Sequence, residues 1–519
     1  MDGQASAPLL RPTLRLETGD GPDAALLKKD GGLTTPHIMR DAAADYGGEG
    51  AGFMTPRTRN RVKGKRCCGV DLRNNPSLGT AINLTSCFIG GGVLGVPSAY
   101  ESASIFPAIF LTLFCATLTV ASLYFIVFVG EHGGEPDATI DSFAGLATVF
   151  GRKWGKVGMR AADCMAAVIL FGVISAAQII IKDNIVSCAA GLTSSGLPFA
   201  PWIPMALLTG VVIFPLTTLR KLDFLKYSSA GAIASVIYIS VLIIMNGLEQ
   251  KGELSQPVQK GDVVAFSWWE PASAVAFMKA APLIVFSFGC QVQLPPLYAE
   301  LVTKIDPNRE TSAAYRIGNF VKVIVTAVGT FMLIVLAIGT FGCLAFPSKE
   351  KHYDDMKSGD ILKVFDSGYM PATVARMSLT LALAFMIPLL LWPVRVSLWA
   401  GMAFLNLGPS AGEKKKAVGS EMPYAFHVAL SLLILLVTTL IAALLDNLGL
   451  VFSVLGAVGG SIMFYIYPAS CFVVLVKTHA SRGTPLLAER TQWMWLALGY
   501  LLIGFGLLMC VLGTAAIFM

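Results

Sequence analysis

The chain has 519 residues, 55% of them hydrophobic and only 14% charged, with a mean hydropathy of +0.66. That is too apolar for an ordinary soluble protein and indicates a polytopic membrane protein. A net charge of +6 does not by itself imply a nucleic-acid partner, and the ten cysteines and five histidines show no metal-ligand spacing, so neither a metal nor a cofactor is expected.

Residues 1–74 are rich in Gly, Ala, Asp and Pro without apolar periodicity, which predicts a disordered tail. No signal-peptide pattern precedes it. A basic run from Arg57 to Arg66 just before the first span places the tail in the cytoplasm, where it can touch anionic lipid. Cys67 and Cys68 read either as palmitoylation sites or as inert thiols, and Asp23–Leu27 either as an acidic dileucine sorting signal or as a chance match.

Eleven hydrophobic spans follow, near 76–101, 104–130, 157–187, 200–218, 226–247, 272–302, 318–346, 371–402, 425–446, 448–477 and 491–518. Most Lys and Arg then fall on the tail side, which supports the orientation. Ile140–Phe150 is too short to span and reads as an amphipathic helix on the inner surface.

The chain is organised around Asn83–Pro97, NLTSCFIGGGVLGVP. Three consecutive glycines inside an apolar run free the backbone from helical geometry, and in a membrane such a break is tolerated only where it lines a cavity or is buried in protein. Gly91 and Gly95 alternatively form a GxxxG packing face. The literal GxGxxG match lacks the strand and acidic residue of a dinucleotide site. The sixth span, Lys279–Leu301, is interrupted too, by Pro282, Gly289, Pro295 and Pro296, with Ser287, Cys290, Gln291 and Gln293 at its centre. Breaks five spans apart point to two inverted five-helix repeats, about 76–247 and 272–477, with an eleventh helix outside them.

These runs, together with Pro388–Arg395 (PLLLWPVR) and Val451–Pro468 (VFSVLGAVGGSIMFYIYP), resemble the first, sixth, eighth and tenth spans of the amino acid/auxin permease family. The resemblance covers nearly everything after the tail. It implies an all-α, LeuT-like transporter of eleven transmembrane helices in residues 75–519, with an amino acid as substrate, by alternating access. The expected membrane is the plasma membrane or a vacuolar or endolysosomal one.

An amino acid brings a carboxylate and an ammonium that both lose water at the midplane. Free N–H groups at a half-helix N-terminus suit the first and free carbonyls suit the second. The expected substrate site is therefore Ser86, Ile89, Gly90, Gly91 and Gly92 from span one with Ser287, Phe288, Gly289 and Cys290 from span six. Asp163 and Glu300 are candidate proton carriers, each with an end anchor or an ion pair as the alternative. Proton-coupled relatives bridge the loops that Cys188 and Cys343 adjoin, so the resemblance implies a disulfide between these two.

Sodium-coupled relatives hold their ion between spans one and eight through oxygen ligands. Here Ser86 stands where they carry a second Asn, and the span-eight hydroxyl positions fall on Ala384 and Met386. Transport coupled to protons, or uncoupled, is expected rather than sodium symport. The competing reading is an amino-acid sensor that signals through its tail. A membrane enzyme is disfavoured, because no nucleophile and base or metal set is present.

Overall fold

The computed structural model describes residues 76–88, 92–134, 140, 142–192, 200–218, 226–249, 268–269, 273–306, 310–345, 358–404, 423–445 and 447–518. The tail with its lipidation and sorting motifs lies outside them, as do Ile89, Gly90 and Gly91.

The described residues are almost entirely helical. The first expected span is a bent pair, α1 (Pro76–Phe88) and α2 (Gly92–Ala103), whose axes differ by 61°. Ser104, with φ 68°, turns the chain directly into α3 (Ile105–His132). Then come α4 (Gly151–Leu192), α5 (Trp202–Thr218) and α6 (Lys226–Glu249). The sixth span divides into α7 (Ala274–Ser287) and α8 (Leu294–Ile305), separated by six residues that include one 3-10 turn, Gln291–Gln293. Pro295 and Pro296 sit in the first turn of α8, where no intrahelical N–H bond is lost. The rest are α9 (Ala313–Ala345), the single turn α10 (Ile361–Val364), α11 (Met370–Phe404), α12 (Tyr424–Leu444), α13 (Leu448–Ser481) and α14 (Glu489–Phe518).

Among the described residues, seven of these, and α7 with α8 as an eighth, are long and apolar enough to cross a membrane, nine if the bent pair counts as one span. The expected fourth and fifth spans correspond to shorter apolar helices, Trp202–Thr218 and Ile233–Glu249. Ile140–Phe150 differs from its expectation. It forms a 3-10 turn, Ala144–Phe150, whose first four residues are buried as the turn packs on α4 and α13, and the Tyr467 hydroxyl of α13 reaches the Phe143 and Ala144 carbonyls at 3.1 and 3.0 Å.

Lipid tails are as apolar as leucine, so helices associate by close packing at small residues and by polar bonds. A Cβ on Gly342 of α9 would meet Pro97 at 2.7 Å, and one on Gly339 would meet the Tyr100 ring at 2.7 Å, which seats α2 in α9. On α13, Gly456 lies against the Pro282 carbonyl and Gly459 against Ile169 of α4. Buried cations tie helix ends together. Lys182 of α4 donates to the Ala442 and Leu445 carbonyls at 2.9 and 3.0 Å, capping α12. At the other end of the bundle, Arg395 of α11 donates to Thr217 O at 2.8 Å and Ser431 Oγ at 2.7 Å, joining α5, α11 and α12. The short stretch around α10 covers the end that holds Lys182 and is called the lid below.

Candidate functional site

The two interrupted spans meet. Ser287 ends α7, and its hydroxyl donates to Leu283 O at 3.0 Å and to Gly92 O, in the first residue of α2, at 3.2 Å. α2 and α7 run against one another along much of their length. Of the expected span-one residues, the structure describes Ser86 and Gly92. Ser86 closes α1 by donating to Asn83 O at 2.6 Å, and a Cβ on Gly92 would meet Phe286 at 3.3 Å and Ser287 at 3.4 Å.

Beyond Ser287 the chain leaves the helix. The Phe288 and Gly289 amides donate back to Val285 O and Phe286 O at 3.2 and 3.1 Å, and Cys290 N donates to Oε1 of the next residue, Gln291, at 2.9 Å. Phe288 is fully buried, edge-on to both Phe88 of α1 and Phe331 of α9. Gly289 lies so close to the Phe464 ring of α13 that no side chain fits there. The helix ends therefore present N–H groups from the start of α2 and carbonyls from the end of α7, within a wall of aromatic rings, while α8 opens on two prolines that carry no N–H. Such an arrangement can hold a small zwitterion by its backbone-recognised ends.

The candidate proton carriers fall differently. Glu300 is paired with Lys304 one turn along α8. Asp163 is half-buried on α4, within electrostatic reach of the Tyr467 hydroxyl that anchors the 3-10 turn.

The expected disulfide is not present: Cys188 and Cys343 are both free thiols. Cys343 is buried with its Sγ 3.2 Å from Pro97 O, so the helix turns it into the bundle, while Cys188 lies on α4 in the neighbourhood of Arg376. Being at the same end of two spans did not put the thiols on facing sides.

Two groups of charges were not anticipated. Near the end of the bundle that holds Arg395, Arg316 of α9 pairs with Glu131 of α3 and with Asp306 at the end of α8, the latter at 3.1 Å. The Tyr298 hydroxyl also donates to Glu131, at 2.8 Å. At the lid, Lys363 pairs with Asp183 of α4 at 2.9 Å, and Arg376 of α11 donates to Leu362 O and Phe365 O at 2.8 and 2.6 Å. Charges bordering apolar runs were the only hint of either.

Comparison with known proteins bears on the same residues. The family described as "Transmembrane amino acid transporter protein" matches residues 77–519. "Vacuolar amino acid transporter 5" of Schizosaccharomyces pombe is 24% identical, over 78% of this chain and 86% of that protein. "Sodium-coupled neutral amino acid symporter 2" of Danio rerio is 20% identical, over 82% and 80%. Among solved structures, the inward facing conformation of Mhp1 is similar with a TM-score of 0.49 and 12% identity, covering 85% of this chain and 90% of that one.

Proposed function

Since the chain belongs to the transmembrane amino acid transporter family, we propose that it carries amino acids across a membrane by alternating access, holding the substrate between the α1/α2 break and the α7/α8 break. The observation that carries this reading is the bond from the Ser287 hydroxyl to the Gly92 carbonyl, which ties the two interrupted stretches to each other. In this reading the substrate carboxylate meets N–H groups of Gly90–Gly92 and the start of α2, and the ammonium meets carbonyls from Ser287 to Cys290. Ser86 and Ile89 flank the first break, and Phe288 supports the second.

The two shorter helices α5 and α6 act as the fourth and fifth of eleven spans. Residues 76–247 and 272–477 are the inverted repeats, and α14 is the extra helix. The tail, residues 1–74, faces the cytoplasm, and the lid faces the outer or lumenal side. A vacuolar membrane fits the name of the fission yeast relative.

Coupling is to protons, or absent. Ala384 and Met386 of α11 offer no side-chain oxygen for a sodium ion. Asp163, half-buried beside Tyr467, is the better proton carrier, since Glu300 already has Lys304 as a partner. Labelled amino acids offered one by one to proteoliposomes test the whole reading. Uptake of at least one, unchanged when choline replaces sodium, is expected. Uptake that rises saturably with sodium would overturn the coupling, and saturable binding without flux would make the protein a sensor.

A further inference from the structure

The lid is seated on four helices. Gly359, with φ +80°, lies against the Gly449 backbone of α13 too closely for any side chain, and Gly449 N donates to Ser358 O at 3.0 Å. α10 packs on α2 and α4, and Arg376 holds the lid to α11. Asp360 lies under this cover, 1% exposed. Its Oδ1 caps α10 by accepting from Leu362 N at 3.0 Å, while among the described residues Oδ2 has no hydrogen-bond partner, and neither do Nε and Nη1 of Arg376.

A buried carboxylate with an unsatisfied oxygen is costly as an anion and cheap as an acid. The charged groups that face it are Asp183 from α4, Lys363 from α10 and Arg376 from α11. Asp366 at the end of the lid and Cys188 of α4 lie near Arg376. The titratable residues of α2 are Tyr100 and Glu101, and Leu448–Val454 of α13 contains none.

The geometry points to a proton-binding site in the lid. Asp360, beside the Asp183–Lys363 pair and Arg376, takes a proton from the solvent at that end and thereby holds the lid shut. The only bond formed is O–H on the carboxyl, and the proton returns to the same solvent when the lid lifts. Burial, reinforced by the charge of Asp183, pushes the Asp360 carboxyl up to about 6 from its ordinary 3.8. A group whose value is raised in the closed state favours that state when protonated. The lid is thus tightened as pH falls from about 6 towards 4 and loosened above 6, by up to about a hundredfold in the closed-to-open ratio. Under the transporter reading, on which only this consequence rests, acidity on the outer or lumenal side keeps that entrance shut and favours opening to the other side.

Hydrogen exchange of the full chain in nanodiscs tests the site without needing transport. Exchange of residues 358–366 is normalised at pH 7.5 and 4.5 to an unstructured peptide standard. The unmodified lid should exchange at least tenfold more slowly at pH 4.5, and Asp360→Asn should be slow at both. An unmodified lid with the same normalised exchange at both values overturns the site, and this measurement stands even if the variant does not fold. So does an Asp360→Asn lid with the full pH response. Flux measured on the same preparation separates the two ideas. A lid that responds to pH in a protein that moves no amino acid keeps the proton site and removes the transporter reading, and flux with an indifferent lid does the reverse.

Discussion

Asp306 and Asp360 are both buried aspartates at helix ends, one near each end of the bundle, and their surroundings treat them oppositely. Asp306 accepts from Thr311 Oγ1 at 2.5 Å, from the Glu310 and Thr311 amides at 2.8 and 3.0 Å, and from Arg316 at 3.1 Å. The Thr311 hydroxyl first, then those amides and Arg316, hold its carboxyl at about 2. Asp360 has one amide and an idle oxygen, and burial raises it. A network with every member satisfied is a fixed joint, here binding α3, α8 and α9. One left partly unsatisfied remains adjustable.

The sharpest way to break that contrast is Arg316→Met. It leaves Glu131 and Asp306 without their cation, the largest loss expected of these changes. The thermal midpoint in detergent should fall by many degrees, and a midpoint equal to the parent's would mean the joint holds nothing. Lys363→Met should cost less, on the order of 1 kcal/mol, because the lysine is partly exposed. Its effect should be confined to exchange at the lid, with the global midpoint unmoved.

Acid separates the two aspartates by sign. A carboxyl depressed in the folded state contributes stability above its unfolded value, lost as pH falls through the folded one. Protection around residues 310–316 should therefore persist down to about pH 4 and fade towards 2. Over pH 6 to 4 the lid should tighten, and parallel loss of protection at both ends would erase the distinction. The smallest effect is expected at the centre. Ser287→Ala removes one bond to Gly92, about 1 kcal/mol, so KM for the transported amino acid should rise severalfold while the midpoint stays put. An unchanged KM would place the substrate elsewhere.

Both interruptions were legible because glycine and proline act locally. The triple glycine sits where α1 and α2 diverge, and Pro295 and Pro296 open α8. What the residues then touch was not legible. Phe88, Phe288 and Phe331 come from three different helices, and nothing in their own neighbourhoods marks them as partners. The same limit explains Cys188 and Cys343, since position along a span fixes depth but not the face presented. Arg376 and Arg395 are charges in an apolar run, yet their partners are mostly backbone carbonyls, which every residue carries. Asp360 sits in the polar connection between α9 and α11, where an aspartate ordinarily needs no explanation.

From Leu455 to Ile466 the α13 backbone is wound as a π-helix, and Ser461 Oγ reaches Gly456 O five residues back, at 3.3 Å. Each hydrogen-bonded ring there holds one residue more than an α turn. Deleting a residue from a regular helix rotates everything beyond it by about 100°, which in α13 would carry Tyr467 away from the Phe143 and Ala144 carbonyls. A wide coil can absorb the loss by tightening to α-geometry, leaving the downstream face where it was. Deletion of a single residue should therefore be survivable in this stretch and lethal to the fold in α3 or α9, which lets evolution shorten α13 without moving the face beyond it.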